Sequence, residues 1–239
     1  MIKSWALFGP LLDSFIVAPP ERLTRPIQTL QRWGRLTTIF SAGNELHVLI
    51  AGLCVLFEDL RIEISGIAAD DLGRLDECGK NGRGLYFLRR SIATLHEFTM
   101  ALNELDQLPS FQPVRARFNE VAQRHWARAI RYFRKHDSYV ARMRNNVGGH
   151  FGKQAAKTAL KNLAPTSIDS LEFISYGPAG GARLFFASEI AATATLRNVK
   201  GDSSQAKARK MMRHASVGYR HAVWAFDCII KFYLWERFG

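Results

Sequence analysis

The chain has 239 residues, of which 47% are hydrophobic and 23% are charged. This balance is that of a globular protein and excludes a disordered one, and the length suits a single domain over residues 1–239. Lys and Arg outnumber Asp and Glu by 33 to 21, which gives a formal net charge of +12. Such an excess favours a polyanionic partner, either nucleic acid or an anionic membrane surface, unless it serves only to solvate the surface.

The cysteines and the apolar segments bear on disulfides, metals and membranes. Cys54, Cys78 and Cys228 lie far apart without any C-x-x-C or Cys/His cluster, so we expect neither a disulfide framework nor a metal site. The longest apolar run, Leu46 to Phe57, is shorter than the roughly 20 residues that cross a bilayer. The segment from Trp5 to Leu12 makes a poor signal peptide. These features predict a soluble cytoplasmic protein that needs no cofactor.

The first part of the chain is predicted to be helical after an irregular start. Residues 1–42 are expected to form an N-terminal arm and a first helix, the helix from about Glu21 to Phe40. Asn44 can cap a second helix, in which apolar residues recur at the spacing of one helical face as far as Ile64. The segment from Gly66 to Gly84 then predicts a break, with a loop at its three last glycines.

A third helix is predicted from about Leu85 to Leu108, where Pro109 ends it. A fourth helix follows, from about Pro113 to His136. One apolar stripe of this helix is formed by Phe118, Ala122, Trp126, Ala129 and Phe133. A separate face carries Arg117, Arg124, Arg128, Arg131 and Lys135. We therefore expect the fourth helix to bury one side and to present the other, cationic side to RNA.

Two short segments, residues 171–176 and 183–188, flank a glycine-rich turn, and this pattern predicts a β-hairpin. We place the hairpin within residues 169–189 as an insertion that covers the core or offers an edge to a partner. A last long helix is predicted from about Gln205 to Arg237. The expected fold class is all-α, an antiparallel bundle of long helices with a small β-hairpin insertion.

The positive charge is concentrated in one part of the chain. Twelve Lys or Arg residues lie between Arg115 and Lys161, against Glu120 and Asp137 as the two acids of that segment. Within it, the stretch from residue 142 to 152 reads Arg-Met-Arg-Asn-Asn-Val-Gly-Gly-His-Phe-Gly. The concentration of charge around this stretch indicates a nucleic-acid partner.

Arg144, Asn145 and His150 are the candidate catalytic residues of this stretch. A guanidinium is a permanent cation whose forked donors suit a phosphate, and a histidine can exchange a proton near neutral pH. Placed against one phosphodiester, the two groups could cleave RNA without a metal ion. Arg142 and Lys153 flank them and join the cations of the fourth helix as candidates for RNA binding.

The pattern Arg144-Asn145-x4-His150 resembles the signature of the HEPN superfamily, an Arg usually followed by Asn, Asp or His and then a His after a short gap. The resemblance implies a helical bundle that forms a homodimer, in which two copies of the motif meet in a cleft. It also implies a metal-independent endoribonuclease in a toxin–antitoxin or phage-defence setting, with an antitoxin or another protein as partner. Other members of the superfamily have lost the activity and only bind.

Helix geometry leaves two arrangements of the motif open. Arg144 and His150 are six positions apart, which places them about 120° apart around an unbroken helix. Gly148 and Gly149 could end or kink the helix and let His150 turn towards Arg144. Alternatively, Arg144 of one subunit could act with His150 of another.

The expected reaction is transesterification within RNA. The ribose 2′-OH attacks the adjacent phosphorus, His150 acts as general acid or base, and Arg144 stabilises the charge that builds on the phosphoryl oxygens. Asn145 would orient the phosphate. Because the nucleophile belongs to the substrate, the product should carry a 2′,3′-cyclic phosphate and DNA should resist cleavage.

Three other interpretations of these residues remain. The motif could be a helix end, with Asn and Gly as caps. A metal-dependent phosphohydrolase could use the pair His136-Asp137 with His96, His125 and Asp169 as further ligands, although the neighbouring cations would repel a metal ion. A basic helical dimer could also bind RNA or a partner protein without catalysis.

Overall fold

The computed structural model describes residues 40–68, 77–147, 157, 161, 173–175, 182–197 and 199–238. Most of these residues are α-helical, which confirms the predicted all-α class. The helices are α1 (Glu45–Ala68), α2 (Glu77–Gln107), α3 (Gln112–Ala116), α4 (Glu120–Val147), α5 (Phe185–Leu196), α6 (Ser204–Ile229) and α7 (Trp235–Phe238). A 3₁₀ turn at Pro109–Phe111 precedes α3, and a π-helical turn at Ile230–Leu234 joins α6 to α7. None of the described helices combines the length and the apolar character that a membrane span requires.

Two three-residue strands pair antiparallel within the region predicted as a hairpin. They are β1 (Phe173–Ser175) and β2 (Ala182–Leu184), with Phe173 opposite Leu184. The second strand was predicted too long, because α5 begins at Phe185 and residues 185–188 are helical. The alanine-rich sequence that follows favours a helix. Residues 176–181 lie outside the described residues, and the insertion of a hairpin into an antiparallel bundle stays a prediction.

The structure agrees with the predicted start of α1 and differs at the start of α2. The Asn44 Oδ1 atom accepts the backbone N–H of His47 at 3.3 Å, as expected of a capping residue. Helix α2 begins at Glu77, so the loop predicted at glycines 79, 82 and 84 is wrong. Each glycine costs a helix only about 1 kcal/mol relative to alanine, and the buried side chains that follow, such as Leu85 and Leu88, outweigh that cost. Residues 1–39, which include the predicted arm and first helix, lie outside the described residues.

The predicted fourth helix is two helices in the structure. Pro109 ends the preceding helix as expected, but α3 stops at Ala116 and α4 starts only at Glu120. The side chain of Asn119 caps α4, since its Oδ1 atom accepts the N–H of Ala122 at 2.9 Å. Helix α4 then continues to Val147, well past the predicted end, and includes the first residues of the motif. Lys157 and Lys161, which follow the motif in the sequence, are helical.

The chain divides into two compact units, each assembled from separate stretches of sequence. One comprises residues 1–16, 63–93 and 141–213, and the other comprises residues 17–62, 94–140 and 214–239. Within the described part of the first unit, the Arg90 Nε atom lies 3.3 Å from the Glu63 carboxylate. The second unit contains the larger described core, whose fully buried side chains include Ile50, Leu53, Phe98, Leu102, Phe111, Trp126, Phe133, Ala222 and Ile229.

A buried carboxylate in the second unit joins the end of α2 to α3 and α4. Asp106 is 8% exposed, and its Oδ1 atom accepts the indole N–H of Trp126 at 2.7 Å and an N–H of Arg115 at 3.0 Å. Its Oδ2 atom accepts an N–H of Arg134 at 3.0 Å. The carbonyl of the same residue accepts the side-chain amide of Gln112 at 3.0 Å. These bonds offset the cost of burying the charge and fix the path of the chain into α4.

Gly52 and Gly218 provide a matched test of packing between helices. A Cβ atom at Gly218 would lie 2.9 Å from the Cδ1 atom of the buried Leu95, whereas a Cβ at Gly52 would meet nothing within 4 Å. We expect Gly52→Ala to raise the free energy of unfolding by about 1 kcal/mol through helix propensity. Gly218→Ala should lower it by about 1 kcal/mol because Leu95 has to move. Denaturant unfolding followed by circular dichroism measures both, and a stabilised Gly218→Ala protein would contradict the close approach of α6 to α2.

Candidate nucleic-acid interface

Helix α4 presents four cations on one side. Arg124, Arg128, Arg131 and Lys135 are all exposed. At 100° per residue they fall within an arc of about 60°, along about 16 Å of the helix axis. We refer to these four residues as the cationic face. Its position follows from the cap at Asn119, which sets where the helix begins.

Little negative charge opposes the cationic face. The Nη1 atom of Arg124 lies 3.8 Å from the Oε1 atom of Glu120, and both side chains are mostly exposed, so this pair contributes little. Within the described residues, Arg128, Arg131 and Lys135 make no ion pair. As far as the described side chains go, the face is therefore a source of positive potential.

Six aromatic and imidazole rings meet between α4 and α6, beside the cationic face. They form three pairs, each joining one ring of α4 to one ring of α6. The centroid distances are 5.1 Å for His125–Trp224, 4.4 Å for Tyr132–His221 and 5.3 Å for His136–His214. The first two pairs are stacked, with interplanar angles of 11° and 18°. We refer to these six residues as the ring cluster, and all six are half-buried.

The ring cluster combines burial with nearby positive charge. Burial, followed by the charges of Arg220, His136 and Arg128, lowers the pKa of His221 to about 4. Burial and then Lys135 also lower the pKa of His136. The Nδ1 atom of His221 is buried and, among the described residues, has no hydrogen-bond partner. These two histidines are therefore neutral at neutral pH and act as aromatic rings rather than as additional cations.

The structure describes only part of the predicted catalytic motif. Arg144 is exposed in the last turn of α4. Arg142 and Asn145 also lie within α4, but their side chains lie outside the described residues. His150 and Lys153 also lie outside them. Whether Arg144 and His150 converge stays a prediction.

Arg117 does not continue the helical stripe of the cationic face, whereas its predicted role in RNA binding stays a prediction. It lies in the break between α3 and α4, so it does not continue the periodicity of α4. Its guanidinium pairs with the carboxylate of Glu236 and donates an N–H to the carbonyl of Phe232 at 2.8 Å. Its role in the structure is to attach the start of α4 to the end of the chain.

The described residues give no support to the His-Asp phosphohydrolase interpretation. His136 packs against Tyr132 and the ring of His214, whereas Asp137 approaches His96, with 3.8 Å between its Oδ1 and the histidine Nδ1. Among the residues the structure describes, no group of three His, Cys, Asp or Glu side chains is placed to hold a metal ion. Asp169 lies outside the described residues.

The ring cluster was not predicted from the sequence. Its pairs join residues about eighty to one hundred positions apart, such as Tyr132, whose hydroxyl also donates to the carbonyl of His214 at 3.2 Å. The sequence contained one indication of the cluster, because the spacing of His214 and His221 places them on one helical face. It did not indicate which helix packs against that face. The pairing requires knowledge of which helices pack together.

The low pKa of His221 predicts a loss of stability in mild acid. The pKa is depressed in the folded protein, so the unfolded chain binds more protons between about pH 6.5 and pH 4. The free energy of unfolding should therefore fall as the pH decreases through this window. His221→Phe keeps a ring against Tyr132. It should reduce the slope of the free energy of unfolding against pH by an amount equivalent to up to about one bound proton.

Urea unfolding at a series of pH values measures this effect. Tyr132→Phe is the control, because it removes the hydroxyl and lowers the free energy of unfolding by about 1 kcal/mol without removing a group that titrates in this window. Equal slopes for the native and His221→Phe proteins would contradict the assignment.

Comparison of the chain with known protein families, with curated proteins and with solved structures gives no match, so its function has to be inferred from the side chains described above.

Proposed function

We propose that this protein binds RNA along the cationic face of α4 and cleaves it as a metal-independent endoribonuclease, with Arg144 and His150 as catalytic residues. The observation that carries the proposal is the arrangement of α4, which holds Arg124, Arg128, Arg131 and Lys135 on one exposed face and continues into the motif. Binding is supported by the described side chains, and cleavage is supported by the motif in the sequence.

The cationic face and the ring cluster supply the two kinds of contact that a single RNA strand needs. Exposed guanidinium and ammonium groups attract phosphates and release counterions. Aromatic and imidazole rings beside them offer surfaces on which unpaired bases stack. The lowered pKa values of His136 and His221 keep those rings uncharged. A strand lying along α4 would have its backbone on the cations and its bases towards α6.

Cleavage would proceed by attack of the ribose 2′-OH on the adjacent phosphorus. His150 transfers the proton, Arg144 stabilises the phosphoryl oxygens, and Asn145 orients the phosphate. Arg142 and Lys153 are the further candidates for RNA binding next to the motif in the sequence. The upstream product then ends in a 2′,3′-cyclic phosphate, and the downstream product begins with a 5′-hydroxyl.

The assembly belongs to the same proposal. A homodimer of antiparallel helical bundles would bring two copies of the motif together, so that Arg144 of one subunit could act with His150 of the other. The resemblance to HEPN proteins suggests a cytoplasmic toxin or phage-defence protein whose activity an antitoxin or another protein restrains.

The second candidate is an RNA-binding protein without catalysis. The cationic face and the ring cluster consist of described side chains, whereas His150 lies outside the described residues, so this candidate needs only groups that the structure describes. The two candidates differ in whether cleavage accompanies binding.

Salt dependence tests the binding surface. Each phosphate neutralised on a single strand contributes about −0.7 to the slope of log affinity against log salt. The double substitution Arg128→Gln with Arg131→Gln should therefore weaken binding of mixed-sequence RNA and make the slope shallower by about 1.4. Fluorescence anisotropy with a labelled single strand measures both quantities.

Arg61 and Lys231 give the matched control for this experiment. Each is exposed and already paired with an acid, Glu58 and Asp227 respectively. Arg61→Gln with Lys231→Gln removes the same charge and should leave the slope unchanged. If the two double variants lose affinity equally, the cationic face is not the binding surface and only net charge matters.

Cleavage of mixed RNA in excess EDTA tests the catalytic half of the proposal. His150→Ala should reduce the rate by about 10²–10⁴-fold, the usual contribution of general acid–base catalysis. Arg144→Ala should also reduce the rate, because it removes the cation that stabilises the phosphoryl oxygens. The side chain is exposed, so its removal should not disturb the core. Both variants should bind RNA as the native protein does. The products should carry cyclic phosphates, and DNA should remain intact.

Each outcome selects between the two candidates. Chelator-resistant cleavage that depends on Arg144 and His150 supports the nuclease. Binding without any cleavage by the native protein supports the non-catalytic candidate. Cleavage that survives both substitutions would mean that the motif is not the active site.

A further inference from the structure

A cavity of about 350 Å³ opens beside the cationic face, on the other side from the ring cluster. It is lined by Asp106, Arg115, Trp126, Ala127, Ile130, Arg131 and Arg134. A second cavity of about 570 Å³ shares Arg115, Trp126 and Ala127 with it. Both lie wholly within the second unit of the chain. A volume of this size is within the range of small-ligand sites.

Three guanidinium groups line the smaller cavity, against one carboxylate. Asp106 accepts one N–H from Arg115 and one from Arg134, while a guanidinium has five N–H donors. Among the described residues, no other acceptor bonds to these two side chains, and Arg131 makes no ion pair. The lining therefore carries a net charge of about +2, with N–H donors to spare.

The carboxylate positions the guanidinium groups instead of simply cancelling them. Asp106 is itself held by the indole N–H of Trp126, which is 1% exposed. Arg115 and Arg134 come from two different helices, yet each is fixed at 3.0 Å from one oxygen of the same carboxylate. Two arginines held in this way are preorganised to bind an anion, because less side-chain freedom is lost on binding.

We propose that this cavity binds a phosphate monoester carried by a nucleoside, and that it holds the 5′-phosphate at the end of an RNA strand. A monoester presents more negative charge and more acceptor oxygens than a backbone diester, which suits several forked donors. The apolar side chains of Ala127 and Ile130 give the attached nucleoside a surface to contact.

This assignment deepens the proposed function, and its strand-end part rests on that function. Cleavage by 2′-OH attack leaves a 5′-hydroxyl on the downstream product. A site that holds a 5′-phosphate therefore retains the uncut strand and the upstream product, which both carry that phosphate, and releases the downstream product. Arg131 lies both in the cationic face and in the cavity lining, so a strand anchored here by its end continues directly along α4.

Two RNAs of identical sequence, one with a 5′-phosphate and one with a 5′-hydroxyl, test the inference. Both carry 2′-O-methyl groups so that they cannot be cut. The phosphorylated strand should bind the native protein about tenfold more tightly, as expected for one charge-assisted set of hydrogen bonds. Arg134→Gln should abolish this preference, whereas Arg124→Gln, with the same loss of charge, should weaken both strands and keep the ratio.

Ala127 provides a pair of variants that leaves every arginine in place. Its side chain is exposed and lines both cavities. Ala127→Glu places a negative charge in the cavity and should remove the preference for the 5′-phosphate. Ala127→Gln has the same size without the charge and should keep a preference of several-fold. Circular dichroism checks that all variants are folded.

A second arm does not depend on RNA binding. Adenosine monophosphate should raise the melting temperature of the native protein, adenosine should not, and Arg134→Gln should remove the shift. If no RNA binds at all, the proposed function fails and this arm alone decides the inference. Equal affinity for the two RNA ends would overturn the strand-end part. An absence of any shift with adenosine monophosphate as well would overturn the site altogether.

Discussion

The buried carboxylate of Asp106 is the constraint on which the position of the cationic face depends. It lies in the last turn of α2 and receives hydrogen bonds from the indole of Trp126 and from Arg115 and Arg134. A carboxylate removed from water has to be paired, so the positions of α3 and α4 relative to α2 are not independent. The rings of Phe111 and Phe118 pack around Trp126, with centroids 5.1 Å and 5.6 Å away. These hydrogen bonds and ring contacts together determine where α4 starts and how it is oriented.

The fixed orientation gives α4 three separate sides. Trp126 and Phe133 enter the core, His125 and Tyr132 meet the rings of α6, and the cations face solvent. The cationic face therefore lies between the ring cluster and the Asp106 cavity. A helix that exposed its cations on all sides would attract nucleic acid without giving it a direction. Here the packing of the other two sides leaves Arg124, Arg128, Arg131 and Lys135 along one strip that a single strand could follow.

Helix periodicity predicted much of this arrangement, since the buried and cationic stripes of α4 can both be read from three- and four-residue spacing. The break before α4 could not be read in this way, because Arg117 fits the cationic spacing but lies ahead of the Asn119 cap. The helical glycines at the start of α2 show tertiary packing overriding local propensity. The ring cluster and the partners of Asp106 depend on which helices meet, and a single sequence does not carry that information. His150 lies outside the described residues, so the predicted motif is only partly placed.

The ring cluster contains four of the seven histidines, and for two of them, His136 and His221, the lowered pKa argues against a role in proton transfer. With a pKa of about 4, His221 holds almost no proton at neutral pH, whereas an effective general acid has a pKa near the working pH. The pKa of His136 is lowered for the same reasons, burial and a neighbouring cation. The positive charge that attracts a phosphate also keeps these rings neutral, which suits stacking. For this physical reason the proposed proton transfer is given to His150 and not to His136 or His221.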